Sequence, residues 1–330
     1  MMVAMHAPDG FLEPWVAGLT AVVALAILGF AMHSSDAELG DRHMPLAGVC
    51  AAFVFAAQMV NFPVASGTTG HLMGGALAAV LLGPRVGSVV VAVVVVVQAL
   101  LFADGGLTAL GYNTLNMAVV PAFGGWAVFR ALRGLLPRRP GGVVGAAALA
   151  GGVSVVFAAI SFSLQWLFGA TAPVAFDTVF GAMVGVHVLI GIGEGLITGA
   201  VVASVLAARP DLVVGAADLA SSELRGSPRV GNRTFVIGAA LVAVFVAAAI
   251  SQFAAADPDG LERVAEDEGF ADQADDHAFE NGIFADYATR GIDNETLSLA
   301  VAGTGGVVLT LVVGWGLADV PRRRATSSHA

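Results

Sequence analysis

Nine runs of mostly apolar residues divide this chain, at residues 11–32, 46–62, 71–83, 86–102, 114–129, 143–168, 182–207, 235–253 and 297–317. A helix that crosses a bilayer needs about 20 such residues, because the hydrocarbon core is about 30 Å thick. Inside lipid every backbone N–H and C=O must be paired within the chain, so the runs can only be helices or parts of a closed barrel. The runs are too long for barrel strands, which need about 9–11 residues. The expected fold class is an all-α polytopic membrane protein with about nine transmembrane helices. The third run is shorter than the rest and fits a segment that is tilted, broken or packed deep within the protein. Composition agrees, with 57% hydrophobic and only 12% charged residues, against about 25% charged in a soluble domain.

The arginines set the expected orientation. All 15 basic residues are Arg. Arg42 follows the first run, Arg85 the third, and Arg130, Arg133, Arg138 and Arg139 the fifth. Arg209, Arg225, Arg229 and Arg233 follow the seventh, and Arg322, Arg323 and Arg324 the ninth. Every odd-numbered run thus exits into an Arg-bearing segment, which the positive-inside rule places in the cytoplasm. The N-terminus is then outside. The expected domains are a transmembrane core (residues 1–207), a cytoplasmic linker (208–234), a two-helix accessory segment with an acidic outer loop (235–320) and a cytoplasmic tail (321–330). Of the 25 acidic residues, 13 lie between Asp257 and Glu295. That loop reads as a solvated surface or as a cation-collecting funnel, and His277 within it as solvent-exposed. A net charge of −10 argues against a nucleic-acid partner, which needs basic patches.

This topology brings two imidazoles to one side. His6 stands near the N-terminus, and His71 opens the third run after a Ser, Gly and Thr loop. If the chain begins at Met5, its free amine, the His6 amide nitrogen and the His6 ring lie within one short chelate. A fourth nitrogen from His71 closes a square-planar set, a geometry that favours Ni(II) or Cu(II) and accepts Co(II). In a chain that begins at Met1 the Met5 amine lies in a peptide bond. Ser66, Thr68 or Thr69 are the candidates to orient the His71 ring. The plainer alternative is a solvated terminal His and a His at a helix end. A lone Cys50 excludes a thiolate cluster.

Other polar residues fall near the same side. Asp104 begins an Asp-Gly-Gly turn, and Asn113 and Asn116 share a helical face three residues apart. Gln58 and Asn61 are also three apart and suited to bracing the loop by hydrogen bonds. In the seventh run, Gly191, Gly195 and Gly199 make a smooth face for a close helix partner. His187 and Glu194 share a different face. Ionisable residues inside a membrane are functional candidates, and this pair reads equally as a proton relay or as a packing pair. No GxxxxGK[ST] motif is present, so the chain has no P-loop of its own. HExxH and GxSxG are also missing.

Four stretches together resemble one family: MHAPDGFLEPW at 5–15, AAQMVNFPVASGTTGHLMGGALAAVLLGP at 56–84, QALLFADGGLTALGYNTLNM at 98–117 and VGVHVLIGIGEGLIT at 184–198. They are similar to the substrate-specific membrane subunit of energy-coupling-factor importers for cobalt and nickel, the CbiM/NikM type. DPDGLERVAEDEGF at 257–270 resembles the CbiN/NikN-like accessory subunit with its PDGLE signature, so the chain looks like a fusion of the two. The resemblance implies that the metal is held by Met5, His6 and His71. It further implies a separate transmembrane coupling subunit and cytoplasmic ATPase subunits, in a plasma-membrane importer supplying cobalt for cobalamin synthesis or nickel for metalloenzymes. The alternative is a self-contained ion-coupled secondary transporter built on His187 and Glu194. An intramembrane enzyme lacks a visible nucleophile and base.

Overall fold

The computed structural model describes residues 6–34, 44–65, 67–219 and 230–327. Met5 and Ser66 lie outside these residues. In chain order the elements are α1 (Pro14–His33), α2 (Met44–Gln58), a short hairpin of β1 (Phe62–Ala65) and β2 (Thr68–Gly70), and α3 (Gly75–Leu82). Then come α4 (Pro84–Phe102), α5 (Leu110–Leu135), α6 (Pro140–Gly169), α7 (Phe176–Ala208) and α8 (Asn232–Phe253). A short α9 (Gly260–Asp267) and the long α10 (Glu295–Ser327) complete the chain. Among the described residues seven helices are long and apolar enough to cross a membrane: α1, α4, α5, α6, α7, α8 and α10. Leu25, Ile192, Leu196, Leu241 and Phe245 face outward along them, as lipid-facing side chains should. The protein is a multi-pass membrane protein.

The helices begin where the sequence supplies a start. Pro14, Pro84 and Pro140 occupy the first turns of α1, α4 and α6, where a missing N–H costs nothing. The break between α3 and α4 is made by Gly83, at φ 85°, followed directly by Pro84. Gly tolerates that left-handed turn, and Pro cannot continue the helix before it.

The third apolar run departs from a simple spanning helix. Only Gly75–Leu82 is helical; His71–Gly74 has no regular structure, and Gly74 is left-handed at φ 78°. At about 1.5 Å per residue, α3 covers only about 12 Å. All eight of its residues are buried in protein, which is the condition under which non-helical backbone is tolerated at membrane depth. The irregular segment and the short helix together still traverse the molecule. His71 lies at one end, beside His6, and Arg85 at the other, donating to the Ser34 carbonyl at the foot of α1.

Contacts between segments far apart in sequence mark the two ends of the bundle. At the first end Glu13 N donates to Gly169 O, and Ala255 N to Asn61 O. At the second, Arg133 pairs with Asp218 at 2.7 Å, and Arg209 donates to Asn232. The linker's described part is not simply a polar join, since Leu212, Val213 and Ala216 are buried.

Close helix packing uses glycine. A Cβ at Gly191 would lie 2.6 Å from Gly152 O on α6, one at Gly195 would lie 2.6 Å from Ala148 O, and one at Gly199 would touch the Ala148 side chain. The α10 helix docks on α2, where a Cβ at Gly48 would lie 2.6 Å from Leu311 O.

The acidic segment exposes most of its carboxylates, as its charge suggests, but not all of it is solvated. Phe270 and Asp259 are buried, and His277 is 6% exposed rather than solvated. The His277 Nδ1 accepts a hydrogen bond from Phe279 N at 2.9 Å. Phe270 stacks on Trp166 and Phe11, so aromatic packing holds this segment down despite its many carboxylates.

Candidate metal centre

The N-terminal strap is fastened to the loop between α4 and α5. Asp9 accepts from Leu107 N, Thr108 N, Thr108 Oγ1 and Ala109 N, at 2.6 to 3.0 Å. The Ala7 carbonyl accepts from Gly106 N and Asn113 Nδ2, and Tyr112 OH donates to Pro8 O at 2.7 Å. The Asp-Gly-Gly turn is small for a reason. Gly105, at φ 82°, packs against the His6 Cβ, and Gly106 against Asp9, so a side chain at either would collide with the strap. His6 thereby arrives inside the protein, 3% exposed.

The second imidazole is placed by the non-helical segment after the hairpin. The Glu194 carboxylate on α7 accepts from Met73 N at 2.7 Å and Gly74 N at 2.9 Å. Gln58 donates to Met73 O at 3.1 Å. The His71 Nδ1 lies 3.2 Å from Leu72 O. Donation to that carbonyl leaves Nε2 as the bare nitrogen. The threonines do not orient this ring. Thr69 Oγ1 instead donates to the Asp257 carbonyl at 3.0 Å, tying the hairpin to the C-terminal segment, and Thr68 is buried in β2.

The two rings meet. Their centroids are 5.8 Å apart with 69° between planes. The His6 Nδ1 faces Asp104, 3.4 Å from its carbonyl oxygen and 3.5 Å from Oδ1. The His6 Nε2 is buried with no hydrogen-bond partner. Beside the rings is a cavity of about 60 Å³, lined also by Asn113, Asn116, His187 and Asp259. That volume admits an ion with a few waters, at about 10–15 Å³ each. Among the described residues no three His, Cys, Asp or Glu side chains converge as a metal-ligand group.

Neighbouring polar groups mostly have other work. Asn116 exchanges amide hydrogen bonds with Gln165 and accepts from Ser161. The His187 Nδ1 lies 2.7 Å from Met183 O, and the ring borders the cavity. Glu194 is engaged by the Met73 and Gly74 amides, so no direct His187–Glu194 pair is formed. Asn61 helps through its backbone carbonyl.

Two contributors from the C-terminal segment had no individual signal in the sequence. Asp259 Oδ2 lies 3.9 Å from His71 Nε2, and Tyr287 OH donates to Asp104 Oδ2 at 2.6 Å. The first belongs to the PDGLE signature, which carried the resemblance but no role for the residue, and nothing distinguished the second. Burial pushes the Asp259 carboxyl up to about 7. It lowers the His6 pKa, against the opposing pull of Asp104. Both shifts follow from the cost of a charge away from water.

Residues 6–212 match the family model of CbiM, the cobalt uptake substrate-specific transmembrane region, and residues 233–323 match the PDGLE domain. A putative fused nickel transport protein NikMN of Archaeoglobus fulgidus is 35% identical over 318 residues, 96% of this chain and 99% of that protein. A putative metal transport protein of Haloquadratum walsbyi is 43% identical over 209 residues, 63% of this chain and 93% of that one. Among solved structures, a truncated transition metal transporter is similar with a TM-score of 0.54 and 31% identity, covering 61% of this chain and 98% of the other. The chain therefore belongs to the CbiM family of cobalt-uptake substrate-specific transmembrane proteins, with a PDGLE domain joined behind it.

Proposed function

We propose that this chain is the substrate-capture subunit of an ATP-driven energy-coupling-factor importer for Co(II) or Ni(II). The observation that carries this reading is the meeting of His6 and His71 in a buried cavity, with the His71 Nδ1 facing the Leu72 carbonyl. A metal-binding His commonly gives its other ring nitrogen to a carboxylate or carbonyl. The ligands are the imidazoles of His6 and His71. In a chain that begins at Met5, its free amine and the His6 amide complete a nitrogen-only set, which the His6 ring joins through Nδ1, the ring nitrogen that can chelate with its own amide. Nitrogen donors suit Co(II) and Ni(II) better than Mg(II) or Mn(II).

The Arg-rich end is the cytoplasmic one by the positive-inside rule, so the His end captures the ion from outside. Residues 1–207 form the capture core, 208–234 a cytoplasmic linker, 235–320 the accessory segment and 321–330 the tail. A transmembrane coupling subunit and cytoplasmic ATPases act as partners and supply the energy. A secondary carrier using Glu194 as a proton site would first have to free its carboxylate from two buried amides.

Reconstitution of the purified chain alone in lipid vesicles tests this. About one Ni(II) or Co(II) should bind per chain, with no sustained accumulation inside. Both His ligands bind as neutral rings, so protons compete as pH falls. Burial holds the His6 pKa below its ordinary value, so the loss belongs at the acid end of a titration from pH 8 to 5. Sustained uptake by the chain alone would overturn the coupled reading, and a flat pH response would overturn the imidazole ligands.

A further inference from the structure

The C-terminal segment reaches the centre a second time, behind His6. Tyr287 OH donates to Asp104 Oδ2 at 2.6 Å, and Gln98 Nε2 donates to the same hydroxyl at 2.9 Å. The other carboxylate oxygen, Oδ1, faces the His6 ring. All of these side chains are buried. The Tyr287 ring is clamped by Phe102 and Phe55, at centroid distances of 5.0 and 6.3 Å.

The backbone around this network is unusual. Among the described residues, three that are not glycine have positive φ: Ala103 at 54°, Asp286 at 53° and Tyr287 at 58°. One precedes Asp104, and the other two carry Tyr287 into the core. Left-handed backbone is costly for residues with a Cβ and persists where the surroundings enforce it, often at functional sites. Gln98 also opens a π turn, Gln98–Phe102, at the end of α4, a distortion common at such sites. Strain at three separate positions thus serves one hydrogen bond, which joins the accessory segment to the group behind His6.

That bond has a chemical consequence. An ion held by the two imidazoles would lie near a buried carboxylate. Left mobile, the carboxylate would compete as an oxygen ligand and draw the site toward harder metals. We propose that Tyr287 is a specificity-determining positioning residue, whose hydroxyl, steadied by Gln98, holds the Asp104 carboxylate beside the His6 ring and back from the metal. This rests on the reading of His6 and His71 as ligands. The accessory segment then keeps the Asp104 carboxylate out of the donor set, while the held charge still offsets that of the bound divalent ion.

The test compares the intact chain with Tyr287→Phe, which keeps the ring and removes the hydroxyl. Calorimetric titration with Ni(II), Zn(II) and Mn(II) gives the selectivity, and the Ni(II) d–d absorption reports the donor set. In Tyr287→Phe, Ni(II) affinity should fall by about 10- to 100-fold, the typical loss on removing an outer partner. The preference for Ni(II) over Mn(II) should narrow, and the absorption should move away from that of an all-nitrogen planar site. A merely structural role would lower the melting temperature and leave selectivity and spectrum alone. Asp104→Asn keeps the shape and the Tyr287 contact but removes the charge, and should weaken Ni(II) binding by a similar factor. Wild-type affinity and spectrum in either folded variant would overturn the proposal. Failure of the unaltered chain to bind Ni(II) or Co(II) would instead overturn the underlying reading of the two imidazoles.

Discussion

Replacing His71 with Ala lowers the affinity of the purified chain for Ni(II) and Co(II) by more than about 100-fold, beyond the 10- to 100-fold typical of losing an outer partner. The ring is the imidazole that the segment 71–74 offers to the cavity. It does not hold that segment in place. Glu194, Gln58 and Thr69 fasten the surrounding backbone, so the variant should fold. Calorimetric titration beside a melting curve separates the two properties. A His71→Ala protein that melts normally and binds Ni(II) as tightly as the parent would remove the imidazole from the ligand set.

Glu194→Ala should be as damaging, through a different route. The carboxylate is fully buried and accepts two backbone N–H groups. Truncation strands both donors where water does not reach. Each unpaired buried donor costs about 1–3 kcal/mol, so the loss is about 2–6 kcal/mol, against a total stability of about 5–15 kcal/mol for a typical protein. The segment that loses its anchor begins two residues after His71, so metal affinity should fall with stability. Glu194→Gln retains one acceptor oxygen and should lose less of both. Denaturant melts and nickel titrations of the two variants check the order. Equal behaviour of Glu194→Ala and the parent would show that the two amides find other partners.

Much of this layout was legible in the sequence, because the bilayer imposes a length rule that apolar runs obey. The alternation of arginine-bearing segments put His6 and His71 on one side before any contact was known. Long-range pairings were not legible. The seven-residue spacing of His187 and Glu194 suggested that they act together, yet Glu194 is spent on amides more than a hundred positions earlier in the chain. A carboxylate that accepts from backbone leaves no side-chain pattern to find. The third run hid its non-helical start because Gly, Leu and Met read as well inside a buried helix as outside one. His277 and Asp259 looked solvated amid so many acids. Aromatic residues such as Phe270, with partners far away in sequence, bury that segment instead. Tyr287 gave no local cue, since its role comes from a strained turn that brings it to Asp104.

The most direct test is X-ray absorption at the nickel edge of the intact, Ni(II)-loaded chain, repeated with His6→Ala and His71→Ala. The expected result is one nickel per chain with light-atom ligands and the scattering pattern of two imidazoles, one of which disappears in each variant. A bound nickel that shows no imidazole scattering, or whose spectrum is unchanged in both variants, would contradict capture between His6 and His71.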